Sequence, residues 1–139
     1  MAGERDLTKL LSGMKPVLND GRYVYATVAG EASAPEGVAP VVTVREPEGL
    51  TLVVRQEEAD AAGLSYEYVA GWITLRVHSA LEAVGLTAAV SQALAQAGLS
   101  CNVVAGYHHD HLFVPYERAA EAVRLLEALA EGVGESPGK

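Results

Sequence analysis

The sequence predicts an α+β protein with an antiparallel sheet, helices on one face, and two similar halves. Helical and strand periodicities alternate along the whole chain. Two hairpin-and-helix segments superpose without gaps when the sequence is slid against itself by 60 residues. Finally, Gly71 to Gly132 reads strand, helix, strand, strand, helix, which is most of a ferredoxin-like unit.

Asp6 is the N-cap of a first helix, whose Leu7, Leu10, Leu11 and Met14 fall at i, i+3, i+4 and i+7, and which ends between Gly13 and Pro16. Asn19-Asp20-Gly21 signals a turn, and Tyr23 to Val28 follows as a strand with Tyr23 and Tyr25 packed on one face. Gly30 to Pro40, with two prolines and two glycines, reads as a surface loop. Val41 to Val44 and Leu50 to Val54 flank Glu46-Pro47-Glu48-Gly49 as a hairpin, and Gln56 to Ala62 is a short helix stopped by Gly63. Trp72 to His78 alternates as a strand. Leu86, Ala89, Val90, Ala93, Leu94 and Ala97 then form one helical stripe ended by Gly98. Cys101 to Ala105 and His111 to Val114 make the second hairpin, and Pro115 opens a last helix striped by Ala119, Ala122, Val123, Leu126, Leu129 and Ala130. The overlay lays Val41 to Val54 on Cys101 to Val114, Glu57 on Glu117 and Ala59 on Ala119.

Composition narrows the function classes. At 139 residues, with 50% hydrophobic and 20% charged residues, the chain folds as one ordinary domain or two small halves sharing a core. Ten Lys and Arg against 18 Asp and Glu give a net charge of -8 with no basic patch, which argues against nucleic acid and anionic membrane as partners. The charged start, Glu4-Arg5-Asp6, does not read as a secretion signal. Ser79 to Leu99, interrupted by Glu82, Ser91, Gln92 and Gln96, does not read as a membrane span. The single Cys101 excludes a disulfide framework and fits a cytoplasmic location; it reads as a packed small hydrophobe. Trp72 reads as covering the core or an interface. Glu57, Glu58, Glu117, Glu121, Glu127 and Glu131 read as solvated helix faces, with Glu121 and Arg124 close enough to pair.

The run Gly71 to Val77, then Val84-Gly85-Leu86-Thr87, then Leu94 to Ser100, and above all Tyr107-His108-His109-Asp110-His111-Leu112-Phe113-Val114-Pro115, resembles an ACT domain. Residues 5 to 131 as a whole are similar to small stand-alone bacterial proteins of two ACT-like units, a family of unknown function. The resemblance implies two ferredoxin-like (ACT-like) units, a degenerate first one over residues 1–66 and a second over 67–132, with a tail at 133–139. It also implies a regulatory or sensor protein that reversibly binds an amino acid or related small metabolite. The second unit lacks an evident final strand, so an element of the first half or a partner chain completes its sheet. An incomplete unit leaves an edge, and a homodimer is expected. The first unit has the proline-bearing loop where a helix is expected, which puts the site on the second.

Topology assembles that site. If Gly71 to Val77 ascends, then Cys101 to Ala105 ascends again, so His78, Ser79, the Val84-Gly85-Leu86-Thr87 helix entrance and Tyr107, His108, His109, Asp110 and His111 converge. Unpaired amides at the helix start seat a carboxylate, and Gly85 allows close approach. Asp110 and His108 or His109 meet an ammonium or polar group. Alternatively, water satisfies the helix start and Gly85 only makes a tight turn. A second reading is a metal-dependent enzyme: His109 and His111 share one face, His108 and Asp110 the other, and His78 joins the first pair. A third is a protein-interaction module without a small ligand. The main reading assigns no catalytic residue, no metal and no cofactor: a phosphate loop and a nucleophile elbow are lacking, and Ser79 has no evident base.

Overall fold

The computed structural model describes residues 6–30, 33–77 and 84–133. In chain order these form α1 (Leu7–Ser12), β1 (Lys15–Val28), β2 (Val42–Glu46), β3 (Gly49–Arg55), α2 (Gln56–Ala62), β4 (Val69–Arg76), α3 (Leu86–Gln96), β5 (Asn102–Ala105), β6 (Asp110–Pro115), a 3-10 turn (Tyr116–Arg118) and α4 (Ala119–Val133). The strands make one six-stranded sheet in the order β2-β3-β1-β4-β6-β5, and every neighbouring pair is antiparallel.

Strands β1 and β4 each serve both units. The C-terminal half of β1 lies between β3 and the start of β4, giving a four-strand group in the order β2-β3-β1-β4. The N-terminal half, Lys15 to Asn19, pairs with Arg76 to Trp72 and completes the second group, β1-β4-β6-β5. The strand missing from the second half is therefore supplied within the chain. Between Asn19 and Tyr23 the register shifts, and Gly21 adopts φ 102. The expected turn at Asn19-Asp20-Gly21 is thus a bulge inside a strand that starts at Lys15 rather than Tyr23. Tyr23 Oη donates to the Asp20 carbonyl at 2.9 Å and holds the bulge down. Pro16 is tolerated because β3 reaches only Tyr23 to Val28, so β1 pairs on one side at that point.

The 60-residue repeat is visible in packing. Positions 51–60 and 111–120 have the same succession of buried, half-buried and exposed residues. Equivalent positions, Glu58 on α2 and Arg118 in the 3-10 turn, hold the segment that precedes the hairpin of each unit. Glu58 accepts a hydrogen bond from the Ala39 amide at 2.8 Å. Arg118 donates to the Ala97 and Gly98 carbonyls at 3.0 and 3.4 Å. The reversal of charge follows the backbone: α3 ends in bare carbonyls, which a cation satisfies, whereas the 33–41 stretch has no helix and presents an amide. Arg118 also grips Glu121 through two 2.9 Å bonds, while Arg124 acts on the same carboxylate through its charge.

The helices share one face of the sheet. Leu10, Leu86, Val90, Leu94, Ala122 and Leu126 pack on Ile73, Leu75, Leu112 and Val114, while Ala59 of α2 packs on Val24, Leu52 and Val54. Cys101 joins the first cluster and burial pushes its thiol up to about 11, consistent with a packed, unreactive side chain. On the helix-free face Phe113 is fully buried all the same, because Trp72 stacks on it at 6.2 Å and Tyr25 meets it edge-on at 6.0 Å. Tyr23 in turn stands edge-on to Trp72 at 5.3 Å.

Gly71 lies where α4 crosses β4, and a Cβ there would fall 2.7 Å from Ala119 Cβ. Gly71→Ala is expected to cost about 1–3 kcal/mol by overpacking. Adding Ala119→Gly in the same chain should recover part of it. Urea denaturation midpoints check both.

Candidate ligand-binding site

The β5–β6 turn sits at the end of the sheet where β4 finishes, since Asp110 faces both Leu75 and Ala105. The turn is closed by the Gly106 amide donating to the His109 carbonyl at 2.9 Å. Helix α3 has its last carbonyls at Arg118, beyond the far end of β6, so its first residues lie at the same end as the turn. Val84-Gly85-Leu86-Thr87 and Tyr107 to His111 are thus at one end of the second unit. His78 and Ser79 lie outside the described residues.

The individual residues divide by environment. Val84 is 83% exposed and Thr87 is exposed, whereas Leu86 is buried in the helix-side core. Gly85 has φ 104 and no side chain caps α3 there. The close approach it permits is made by the protein itself: Leu7 Cδ2 would stand 3.1 Å from a Cβ at this position. Tyr107 is 78% exposed and its ring meets that of His108 at 5.1 Å. His109 is half-buried, and its Nδ1 is shut away from solvent without a hydrogen-bond partner. Burial raises the pKa of Asp110, against the lowering influence of His111 and His109.

His111 belongs to a different network. Strand β6 begins at Asp110, so the alternation expected to align His109 with His111 does not reach His109. The His111 side chain lies on the helix-free face, where its Nδ1 accepts from Trp72 Nε1 at 3.1 Å and lies 3.2 Å from Thr74 Oγ1. Asn19 Nδ2 donates to Thr74 Oγ1 at 3.0 Å and to the Trp72 carbonyl at 3.1 Å, tying β1 into the same cluster. Gly106 packs against the imidazole: a Cβ there would fall 3.2 Å from His111 Nε2 and 2.7 Å from the His109 carbonyl oxygen. Sequence reading missed this network because it depends on the β4–β6 register, which sets Thr74 opposite His111. Among the described residues no group of three or more His, Cys, Asp or Glu is placed to hold a metal ion.

An Nδ1 that accepts from Trp72 requires neutral His111 with its proton on Nε2. Its pKa lies below 6.5 because of burial first and the His109 charge second, with Asp110 opposing. The unfolded chain therefore takes this proton first. The stability contributed is complete above pH 6.5 and is lost as pH falls through that value toward the folded pKa. Trp72 is the sole tryptophan, so its fluorescence should change on acidification with a midpoint below 6.5. His111→Gln should abolish that change. A transition at or above the ordinary histidine value would contradict the network.

Family models described as ACT domain match residues 2–71 and 67–128. A protein of unknown function from Vibrio cholerae, described as a possible transport protein, is 50% identical, with a TM-score of 0.82 over 89% of this chain and 95% of that one. An Agrobacterium tumefaciens protein is 20% identical, with a TM-score of 0.69 over 84% and 89% of the two chains. The ligand-free regulatory subunit of aspartate kinase from Thermus thermophilus shares the fold at 12% identity, with a TM-score of 0.56 over 82% and 95%. No curated protein matches the chain. With tandem matches spanning its two units, the chain belongs to the ACT-domain family.

Proposed function

We propose that this protein is a regulatory ACT protein that reversibly binds an amino acid or related small metabolite at the imidazole end of its second unit. ACT domains are regulatory ligand-binding modules; the amino-acid ligand and the site are our reading. The observation that carries it is the pairing of a half-buried Asp110, whose carboxyl is raised by burial, with a His109 Nδ1 that has no partner. Both groups gain from an incoming polar ligand: an ammonium relieves the carboxylate, and a donor satisfies the imidazole nitrogen. The start of α3, which no side chain caps, receives the carboxylate, with Val84, Gly85, Leu86 and Thr87 at its mouth and Tyr107 and His108 at the rim.

The protein acts by binding rather than catalysis, in the cytoplasm, and as a homodimer. Its second unit is closed by β1, so the edges left for a partner are the outer sides of β2 and β5. Light scattering should give twice the mass of the chain; a monomer at micromolar concentration contradicts the dimer.

A ligand that binds only the folded chain stabilises it, by about 2.7 kcal/mol at a hundredfold excess over its dissociation constant. In thermal denaturation against each proteinogenic amino acid at millimolar concentration, at least one should raise the midpoint. Asp110→Asn and His109→Ala should each remove that rise. No response, or a response indifferent to both substitutions, would overturn the reading.

A further inference from the structure

At the opposite end of β4 and β6, about 17 Å along the strands from the imidazole turn, we propose a second site. It is the concavity lined by Arg22, Gln56, Tyr68, Val69, Tyr116 and Glu117, which takes a small zwitterion with its carboxylate on Arg22 and its ammonium on Glu117. The cavity measures about 600 Å³, within the range of small-molecule pockets.

Two cations reach this concavity and they are not equivalent. Arg118 is fully engaged, with Glu121 and the end of α3. The β1 bulge instead delivers Arg22 onto the ring of Tyr116, 4.4 Å from its centroid, and no carboxylate pairs with it among the described residues. The ring takes up the cation without a carboxylate consuming any of its N–H donors, so the guanidinium keeps donors for an incoming carboxylate. Such an arrangement stands out in a chain of net charge -8.

The other wall supplies the opposite chemistry. Glu117 is exposed and no cation pairs with it among the described residues. Gln56 gives its Nε2 to Tyr66 Oη at 3.0 Å and keeps its carbonyl oxygen as an acceptor that an ammonium N–H can use. Tyr68 and Val69 flank the space for an apolar body. Gln56 and Tyr116 occupy equivalent positions of the 60-residue repeat, so an occupant touches both units and links them.

The test is a nuclear magnetic resonance titration of the full chain with the proteinogenic amino acids, using acetate and methylammonium as single-charge controls. At least one amino acid should shift the Arg22 Nε–Hε signal and the amides of Tyr116 to Arg118, and bind more tightly than either control. Arg22→Gln should weaken that binding on the order of tenfold to a hundredfold. Should that variant misfold, Arg22→Lys, which keeps the charge but loses the fork, and Glu117→Gln on the exposed wall should each weaken it. Silence at Arg22 and Tyr116 throughout the panel, or unchanged affinity in folded variants, overturns the proposal. The same spectra read the imidazole end separately: shifts confined to residues 84–87 and 106–111 support the first site and overturn this one, and shifts confined to Arg22, Gln56 and 115–118 do the reverse.

Discussion

The pairing of β1 with β4 is the constraint on which both units rest, because each strand closes one unit and opens the other. Across the bulge, Asn19 faces Trp72 and Tyr23 faces Ala70, four steps along β1 against two along β4. The even difference decides the architecture. Side chains alternate with period two, so two extra residues return the strand to the same face, whereas one would turn it over. Tyr23 and Tyr25 consequently stay with Trp72 and Phe113 on the helix-free face, and Val24 stays under α2. The residues looped out in the process carry Arg22 to Tyr116 and bring Gly21 beneath the Arg55 guanidinium. The break in regularity is thus what brings a guanidinium onto the Tyr116 ring.

Elements whose signals are local were legible in the sequence. The stripes of α3 and α4, the two hairpins and the Gly63 stop of α2 appear where periodicity and turn chemistry place them. What could not be read depended on pairing. Asn19-Asp20-Gly21 carries the same residues whether the chain reverses or bulges, and only β4 alongside decides between them. Lys15 to Leu18 becomes a strand because the edge of β4 is free, although Pro16 argues locally against it. A shared face for His109 and His111 requires β6 to extend back to His109; the strand starts one residue later, and His111 is left facing Trp72 while His109 stays in the turn. That the turn and the α3 entrance lie at one end of the second unit was legible because it follows from strand direction alone. That Leu7 fills the space beside Gly85 was not, since it requires knowing where α1 docks.

The two units also show which features the fold demands. Glu46 faces Gly49 across the first hairpin, leaving Pro47 and Glu48 at its tip; at the equivalent place in the second, Gly106 bonds to His109 and Tyr107 and His108 form the tip. The turns are equivalent and so is the burial of the strand and helix that follow. Their chemistry is not. Where the first unit has Glu48, Gly49, Leu50 and Thr51, the second has His108, His109, Asp110 and His111.

A glycine and a leucine satisfy the hairpin of the first unit with no unpartnered ring nitrogen and no half-buried carboxylate. The second unit carries both, each at a cost in desolvation that the same backbone avoids 60 residues earlier. The unit that has this corner is also the one whose crossover is a helix, with its uncapped start at the same end of the sheet. In the first unit the described part of the crossover is a loop and the corner is apolar or acidic. Imidazoles and helix start therefore occur together in one copy and are missing together from the described residues of the other, a correlation that hairpin stability alone does not explain.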